Sequence, residues 1–396
     1  MKPGVIVLCG VSSKMFSPTA LGVIKCLNQE NIPTLLITPD INDPAKYSSN
    51  INHFLIDDPK DFSNRYLQKL LWIGKKFRDY VLMPTSDETV KLVSDHRDLL
   101  CEYFKIPMPK KEVIDICLDK SLTYEIAKKN NIPFPQTLKC NNVHELEIAS
   151  NRISYPGLLK PSTPIDRNFY SKKVLEFNSP SQLISFGEYF IKLGCSPLVQ
   201  EKIVGPPSNL YSLGTVISSD NNQIAIFTGR KIRQISYEFG VGTFCESIWV
   251  PEVAELGEKL LNSINYYGIA QVEFKFDVSD QEYKLMEINA RPWFWISLTA
   301  SCGMNIPYIA YKYAIGEEIS VDSFLENIYW QWLAGDLGLL VTQLIARNPS
   351  FSFKDYFQSY LKKRVYATYS KNDIRPFIKE LSQSIINLGD NLRYLN

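Results

Sequence analysis

The sequence predicts a mixed fold. It has an α/β first third wound on both faces of a parallel sheet, an α+β middle with antiparallel strands, and a C-terminal helical segment. Three observations predict it. Short apolar runs alternate with helical stretches between Val5 and Glu88, residues 270–292 read as two strands about a polar turn, and the chain becomes Trp-rich, Lys-rich and helical after Ile315-Gly316. Strands separated by helices build parallel sheets, whereas strands joined by a tight turn pair antiparallel.

Within residues 1–107, Val5–Leu8 is apolar throughout, as a strand covered on both faces must be. Ser17-Pro18-Thr19-Ala20 supplies a cap and first turn for a helix to about Gln29, and Thr34–Thr38 completes a βαβ unit. A helix over Asn64–Lys76, a strand over Tyr80–Met83 and a helix opening at Ser86-Asp87-Glu88 form the next cycle, closed by Ile106-Pro107-Met108-Pro109. Residues 108–318 follow as a second unit. A helical stretch carrying Asp119-Lys120 stops at Asn130-Asn131-Ile132-Pro133, and Pro156 to Val199 runs strand, polar loop, strand, helix, strand, a subdomain at about 150–200. Residues 319–396 form the helical segment, ending in Ile374–Leu388. Its stretch Trp330–Ala346 is interrupted by Asp336 and too short to span a bilayer, which predicts a buried helix.

Basic and acidic residues nearly balance, 43 against 42, so no global field draws the chain to nucleic acid or a membrane surface. The eight Cys are scattered without CxxC pairs and the three His have no paired spacing. Zinc and His-relay chemistry are disfavoured, and free thiols suit a reducing cytoplasm.

The hairpin carries the sharpest chemical signal. Ala270-Gln271-Val272-Glu273-Phe274-Lys275-Phe276 is followed by a turn near Asp280 and by Lys284-Leu285-Met286-Glu287-Ile288-Asn289-Ala290-Arg291-Pro292. A turn centred on Asp280 sets Glu273 opposite Glu287, with Asn289 and Arg291 on the same face. Facing carboxylates repel, so this register is favoured where a cation lies between them, and two carboxylates with an amide oxygen are hard ligands suited to magnesium. The competing reading is a solvated sheet face with the register shifted by one residue.

With Glu273, Glu287, Asn289 and Arg291 the chain resembles the ATP-grasp superfamily, in which an acid on one strand and an E-x-N-x-R run on the next hold the nucleotide's metal. Asp119-Lys120, Leu158-Leu159-Lys160-Pro161 and Leu198-Val199-Gln200-Glu201-Lys202-Ile203-Val204-Gly205 stand in the family's order. The resemblance implies an ATP-grasp fold behind a Rossmann-like N-terminal domain, and an ADP-forming ligase that activates a carboxylate as an acyl phosphate and couples it to an amine or peptide. It implies ATP and Mg2+, or Mn2+, as cofactors, and small molecules rather than nucleic acid or membrane as partners; a homo-oligomer is left open.

By resemblance, Glu273, Glu287 and Asn289 hold the metal, Lys120 and Lys160 meet ATP phosphates, and Glu201, Lys202 and Ile203 form the hinge at the adenine edge. Ser208 and Asn209 stand where relatives carry an acid for the ribose. The run Thr228-Gly229-Arg230-Lys231-Ile232-Arg233 is similar to the subgroup that includes D-aspartate ligases, so Arg230, Lys231 and Arg233 join Arg291 of the E-x-N-x-R run, which would steady the mixed anhydride, as candidate catalytic cations. Strand alternation sets Lys231 and Arg233 on one face and Arg230 on the other; a solvated basic strand edge is the alternative. The lid loop Ser162–Lys173 contains no Gly and offers Ser162, Thr163, Arg167, Ser171, Lys172 and Lys173 instead. The loop Pro84-Thr85-Ser86-Asp87-Glu88 either receives the amine or simply caps a helix. Carboxyphosphate chemistry and non-catalytic ATP sensing on the same scaffold are the rival functions.

Overall fold

The N-terminal apolar runs form a parallel sheet ordered β3-β2-β1-β4, where β1 is Val5–Leu8, β2 Thr34–Thr38, β3 Ile51–Leu55 and β4 Val81–Pro84. The structure, a computed structural model, describes residues 2–10, 18–59, 62–162, 174–235, 240–346 and 351–393. Every residue of β1 is fully buried. Ile6 and Leu8 join Tyr66, Leu70 and Val90 of the helices Ser63–Lys76 and Asp87–Asp95, while Val5 and Val7 join Leu21 and Ile24 of the helix Pro18–Asn28. The sheet is thus wound on both faces. Ser17, the expected cap, lies outside the described residues. β3 carries no apolar run because it is a half-exposed edge strand.

Four antiparallel strands form a second sheet in the order β5-β8-β6-β7, with β5 Thr137–Lys139, β6 Gly157–Pro161, β7 Leu175–Phe177 and β8 Pro197–Glu201. The helices Val143–Ser150 and Pro180–Lys192 close it over Leu146, Leu159, Phe177, Leu183, Phe190 and Val199. Thr163, Arg167, Ser171, Lys172 and Lys173 of the lid loop lie outside the described residues. The helical stretch around Asp119-Lys120 is two helices, Lys111–Leu118 and Lys120–Lys129. Asp119 breaks it because its carboxylate caps the second helix, accepting from the Ser121 backbone N–H at 2.8 Å.

A seven-stranded sheet completes the fold, ordered β13-β12-β9-β10-β11-β14-β15. Its strands are β9 Leu210–Ile217, β10 Gln223–Gln234, β11 Gly242–Ser247, β12 Gly268–Asp277, β13 Glu282–Asn289, β14 Tyr329–Gln331 and β15 Arg364–Tyr366. The C-terminal segment is mainly helical, with helices Leu333–Ala346, Phe353–Ser359 and Arg375–Arg393, but it also lends β14 and β15 to the sheet edge. Trp330, expected in a buried helix, is fully buried in β14. The helix that follows buries only Asp336, Leu339 and Gln343, spaced as one face of a helix, and leaves Leu337, Val341, Leu344 and Ile345 exposed. Its apolar content therefore misstates its burial. Among the described residues no helix is long and apolar enough to cross a membrane.

Candidate active site

β12 and β13 pair with Glu273 opposite Glu287 and Gln271 opposite Asn289. This is the register expected from a turn at Asp280, reached by two local features that offset each other. From Phe274–Leu285 to Asp277–Glu282 the ladder is displaced by one residue, and a bulge beside Glu273 restores the acidic pair. The turn itself places Gln281 at φ 62°.

Every predicted metal ligand is engaged by a cation. Lys120 Nζ lies 2.5 Å from Glu287 Oε2, Lys231 Nζ lies 3.0 Å from Glu273 Oε2, and Arg291 Nη2 donates to Asn289 Oδ1 at 3.0 Å. Asn289 Nδ2 in turn donates to Gln271 Oε1 at 3.2 Å and to Glu287 Oε1 at 3.3 Å, so the E-x-N-x-R side chains share one face. Burial works against the Lys231 charge, but the Glu273 carboxylate outweighs it and holds that ammonium above its ordinary pKa. Lys120 is brought here by the first turn of its helix, whose backbone N–H donates to Ser162 O at 3.1 Å, just beyond β6.

Lys160 projects from β6 and is buried, donating to Gln200 Oε1 at 2.6 Å. With a neutral amide as that partner, burial first and the nearby Lys120 charge second pull its pKa down to about 7. Gln200, which sequence reasoning passed over, is oriented by donating to Tyr124 Oη at 3.1 Å and Thr137 Oγ1 at 2.8 Å. The hinge side chains serve as struts: Glu201 meets Lys284 at 3.3 Å and Lys202 meets Glu176 at 2.5 Å. Lys275 Nζ donates to Ile203 O at 2.7 Å, tying the hinge backbone to the strand that carries Glu273. Alternation along β12 sets Lys275 on the Glu273 face, a signal the sequence contained.

The three cations of β10 separate. A bulge between Lys231 and Arg233 puts Arg233 opposite Phe244 and breaks the expected sharing of a face. Only Lys231 reaches Glu273. Arg233 turns to Asp336, bonding both carboxylate oxygens at 2.9 and 2.8 Å, and Arg230 pairs with Glu246. Ser208 lines the same cavity as Arg230 and Arg233, while Asn209 Nδ2 donates to Phe276 O at 3.2 Å.

Ser86 caps its helix in a reciprocal capping box with Thr89. Asp87, however, accepts from Arg291 Nε at 2.8 Å, so the loop after β4 braces the arginine of the hairpin. Gly10 permits this approach, since a Cβ there would strike the Ser86 side chain.

Among the described residues no three His, Cys, Asp or Glu side chains form a cage that could hold a metal alone. Two carboxylates and one amide oxygen suit magnesium, which keeps its remaining positions for phosphate and water. Glu273, Glu287 and Asn289 fit that requirement.

No family model matches the chain. It is 24% identical to the D-aspartate ligase of Enterococcus faecium (strain Aus0004) over 308 residues, 72% of this chain and 70% of that protein. It is 25% identical to a D-alanine–D-alanine ligase of Anaplasma marginale (strain Florida) over 216 residues, 48% of this chain and 59% of that one. Among solved structures it resembles the biotin carboxylase domain of Hydrogenobacter thermophilus 2-oxoglutarate carboxylase in complex with MgADP and bicarbonate. That match has a TM-score of 0.65 and 17% identity, and covers 82% of this chain and 73% of that one. The chain thus shares the ATP-grasp fold of that solved structure, and its sequence is similar to those of D-aspartate and D-alanine–D-alanine ligases.

Proposed function

We propose that the chain is an ATP-dependent, ADP-forming ligase that activates a carboxylate as an acyl phosphate and couples it to an amine. One observation carries the reading: Glu273 stands opposite Glu287, with Asn289 and Arg291 on the same face and Lys120 and Lys231 in contact with the two acids.

When bound there, Mg2+ supplies Lewis-acid neutralisation of the phosphate oxygens; Mn2+ would meet the same ligands. Lys120, Lys160 and Lys231 then turn to the phosphates and steady the charge on the transferring group. The substrate carboxylate attacks the γ-phosphorus, the bond to the bridging oxygen breaks, and ADP leaves. Arg291, aligned by Asp87, holds the mixed anhydride while the amine attacks its carbonyl carbon and phosphate departs. No enzyme nucleophile is required. With Asp87 committed to Arg291, Glu88 is the acid of that loop left for an amine. Arg230 and Arg233 act on the structure of β10 rather than on the phosphates.

The likeness to a D-aspartate ligase supports a small acidic amino acid as the carboxylate substrate to try first. All eight cysteines are free thiols, which supports a reducing cytoplasm. An ADP-release screen over D- and L-amino acids, each paired with amines and peptides and followed by product mass, tests the reading. It predicts release only with a carboxylate and an amine together. Release driven by bicarbonate alone, or tight ATP binding with no release, contradicts it.

A further inference from the structure

The face of the large sheet turned away from Glu273 is not fully packed. A cavity of about 480 Å3 lies there, walled by Arg230, Ile232, Arg233 and Gln234 of β10, Phe244 and Glu246 of β11, and Tyr329 of β14. Pro206 to Ser208, beyond the hinge, closes one side, and residues of the helices Leu333–Ala346 and Phe353–Ser359 close the other. Ser208, Arg230 and Arg233 of the expected site residues line it, but none of Lys120, Lys160, Lys231, Glu273, Glu287, Asn289 or Arg291 does. Its size lies within the range of small-molecule sites, about 300–1,000 Å3.

Its chemistry is unevenly satisfied. Arg233 is neutralised by the two oxygens of Asp336 and held between the rings of Phe244 and Tyr356, at 4.3 and 4.7 Å. Arg230 spends Nε on Glu246 and Nη1 on the Tyr211 hydroxyl, which leaves Nη2 available. Among the described residues, Lys362 contacts only the Tyr329 ring, at 5.8 Å. With Arg233 set aside against Asp336 and Arg230 sharing Glu246, the lining keeps the second Arg230 amino group and Lys362 as its donors, with Asp355 the remaining acid. Buried rings flank these groups, with Phe244 and Tyr329 stacked at 5.3 Å. A flat apolar wall beside an underused guanidinium and an ammonium with no ion pair among the described residues suits an oxyanion carried on a ring.

We propose that this cavity is a second ligand site that takes a small aromatic oxyanion, carboxylate or phosphate, independently of the nucleotide. Its walls give it a route to the catalytic face. Arg230 adjoins Lys231 in β10, and Pro206 follows the hinge by three residues. A ligand held by Arg230 and Ser208 would fix both segments, so the site is regulatory rather than catalytic.

The test uses the full chain with the nucleotide site filled by Mg2+ and a non-hydrolysable ATP analogue, and titrates phenyl phosphate, benzoate and benzylamine by calorimetry and ligand-observed NMR. The expected result is one site for phenyl phosphate or benzoate with Kd at or below about 1 mM, and none for benzylamine; which of the two anions binds tighter identifies the head group. Lys362→Ala, an exposed change that spares the fold, should weaken binding about tenfold, and Leu339→Trp should block it by filling the cavity. Displacement of the probe by nucleotide, equal binding of benzylamine, no anion binding at about 10 mM, or Lys362→Ala binding unchanged would each overturn the proposal. None of these readouts depends on ligase turnover.

Discussion

A lysine that is buried beside a neutral amide gives up its proton early, and Lys160 is such a residue, with a pKa near 7. A phosphate partner favours the charged form, so nucleotide binding must restore the proton once the pH exceeds that value. ATP affinity should therefore be flat below pH 7 and fall toward a limit of about tenfold per pH unit above it. Calorimetry at pH 8 in buffers of different ionisation heat should show uptake of about one proton; affinity constant from pH 6 to 9 would contradict the assignment. Glu287 tests the opposite charge. Glu287→Gln should lower kcat by about 10²–10³ and raise the magnesium needed for half-maximal rate, whereas an unchanged magnesium profile would remove Glu287 from the metal. The buried placement of Lys160 and the register of Glu287 against Glu273 were legible from apolar neighbours and strand alternation. Gln200 and the Asp87 contact to Arg291 were not, because each bond spans segments far apart in the chain, and sequence reasoning gave Asp87 only a capping or amine-binding part.

At the scale of elements, two bulges decided which expectations survived. Period-two alternation set Glu273 opposite Glu287, and the displacement near the turn is cancelled by the bulge beside Glu273, so the register holds. In β10 the shift after Lys231 is undone only at Gln234, one residue too late for Arg233, which passes to the other face. A bulge depends on the neighbouring strand and leaves little trace in composition. Arg233 there meets Asp336, a fully buried acid that also accepts from Thr243 Oγ1 at 2.9 Å and Gln331 Nε2 at 2.8 Å. Removing one partner of such a pair strands the other charge. Asp336→Ala should cost about 3–5 kcal/mol in chemical denaturation, while a loss under about 1 kcal/mol would show that the pair is not a keystone of β10.

Across the whole molecule, the C-terminal segment acts as a strap, which residues 319–396 did not announce in their helical texture. From the helix Pro18–Asn28, Lys25 Nζ donates to the carbonyls of Tyr366 at 3.3 Å, Ala367 at 2.8 Å and Tyr369 at 3.2 Å. Asp373 returns the contact, accepting from Ser49 N at 2.5 Å and Ser48 Oγ at 3.1 Å. Trp330 and Ala367 enter the same core as Val5 and Leu21. A chain cut after Glu318 would bare the β11 edge and open that core, and should aggregate on expression; a soluble, monomeric fragment with native circular dichroism would contradict the strap. The parallel N-terminal sheet was legible because apolar periodicity reports it directly, but two three-residue strands at a sheet edge are too short to leave a pattern. The central claim is that these parts serve phosphoryl transfer to a carboxylate, and oxygen-18 tests it most directly. With the label in both carboxylate oxygens of a productive substrate, one labelled oxygen should appear in each phosphate released. Unlabelled phosphate at full product yield would contradict the account.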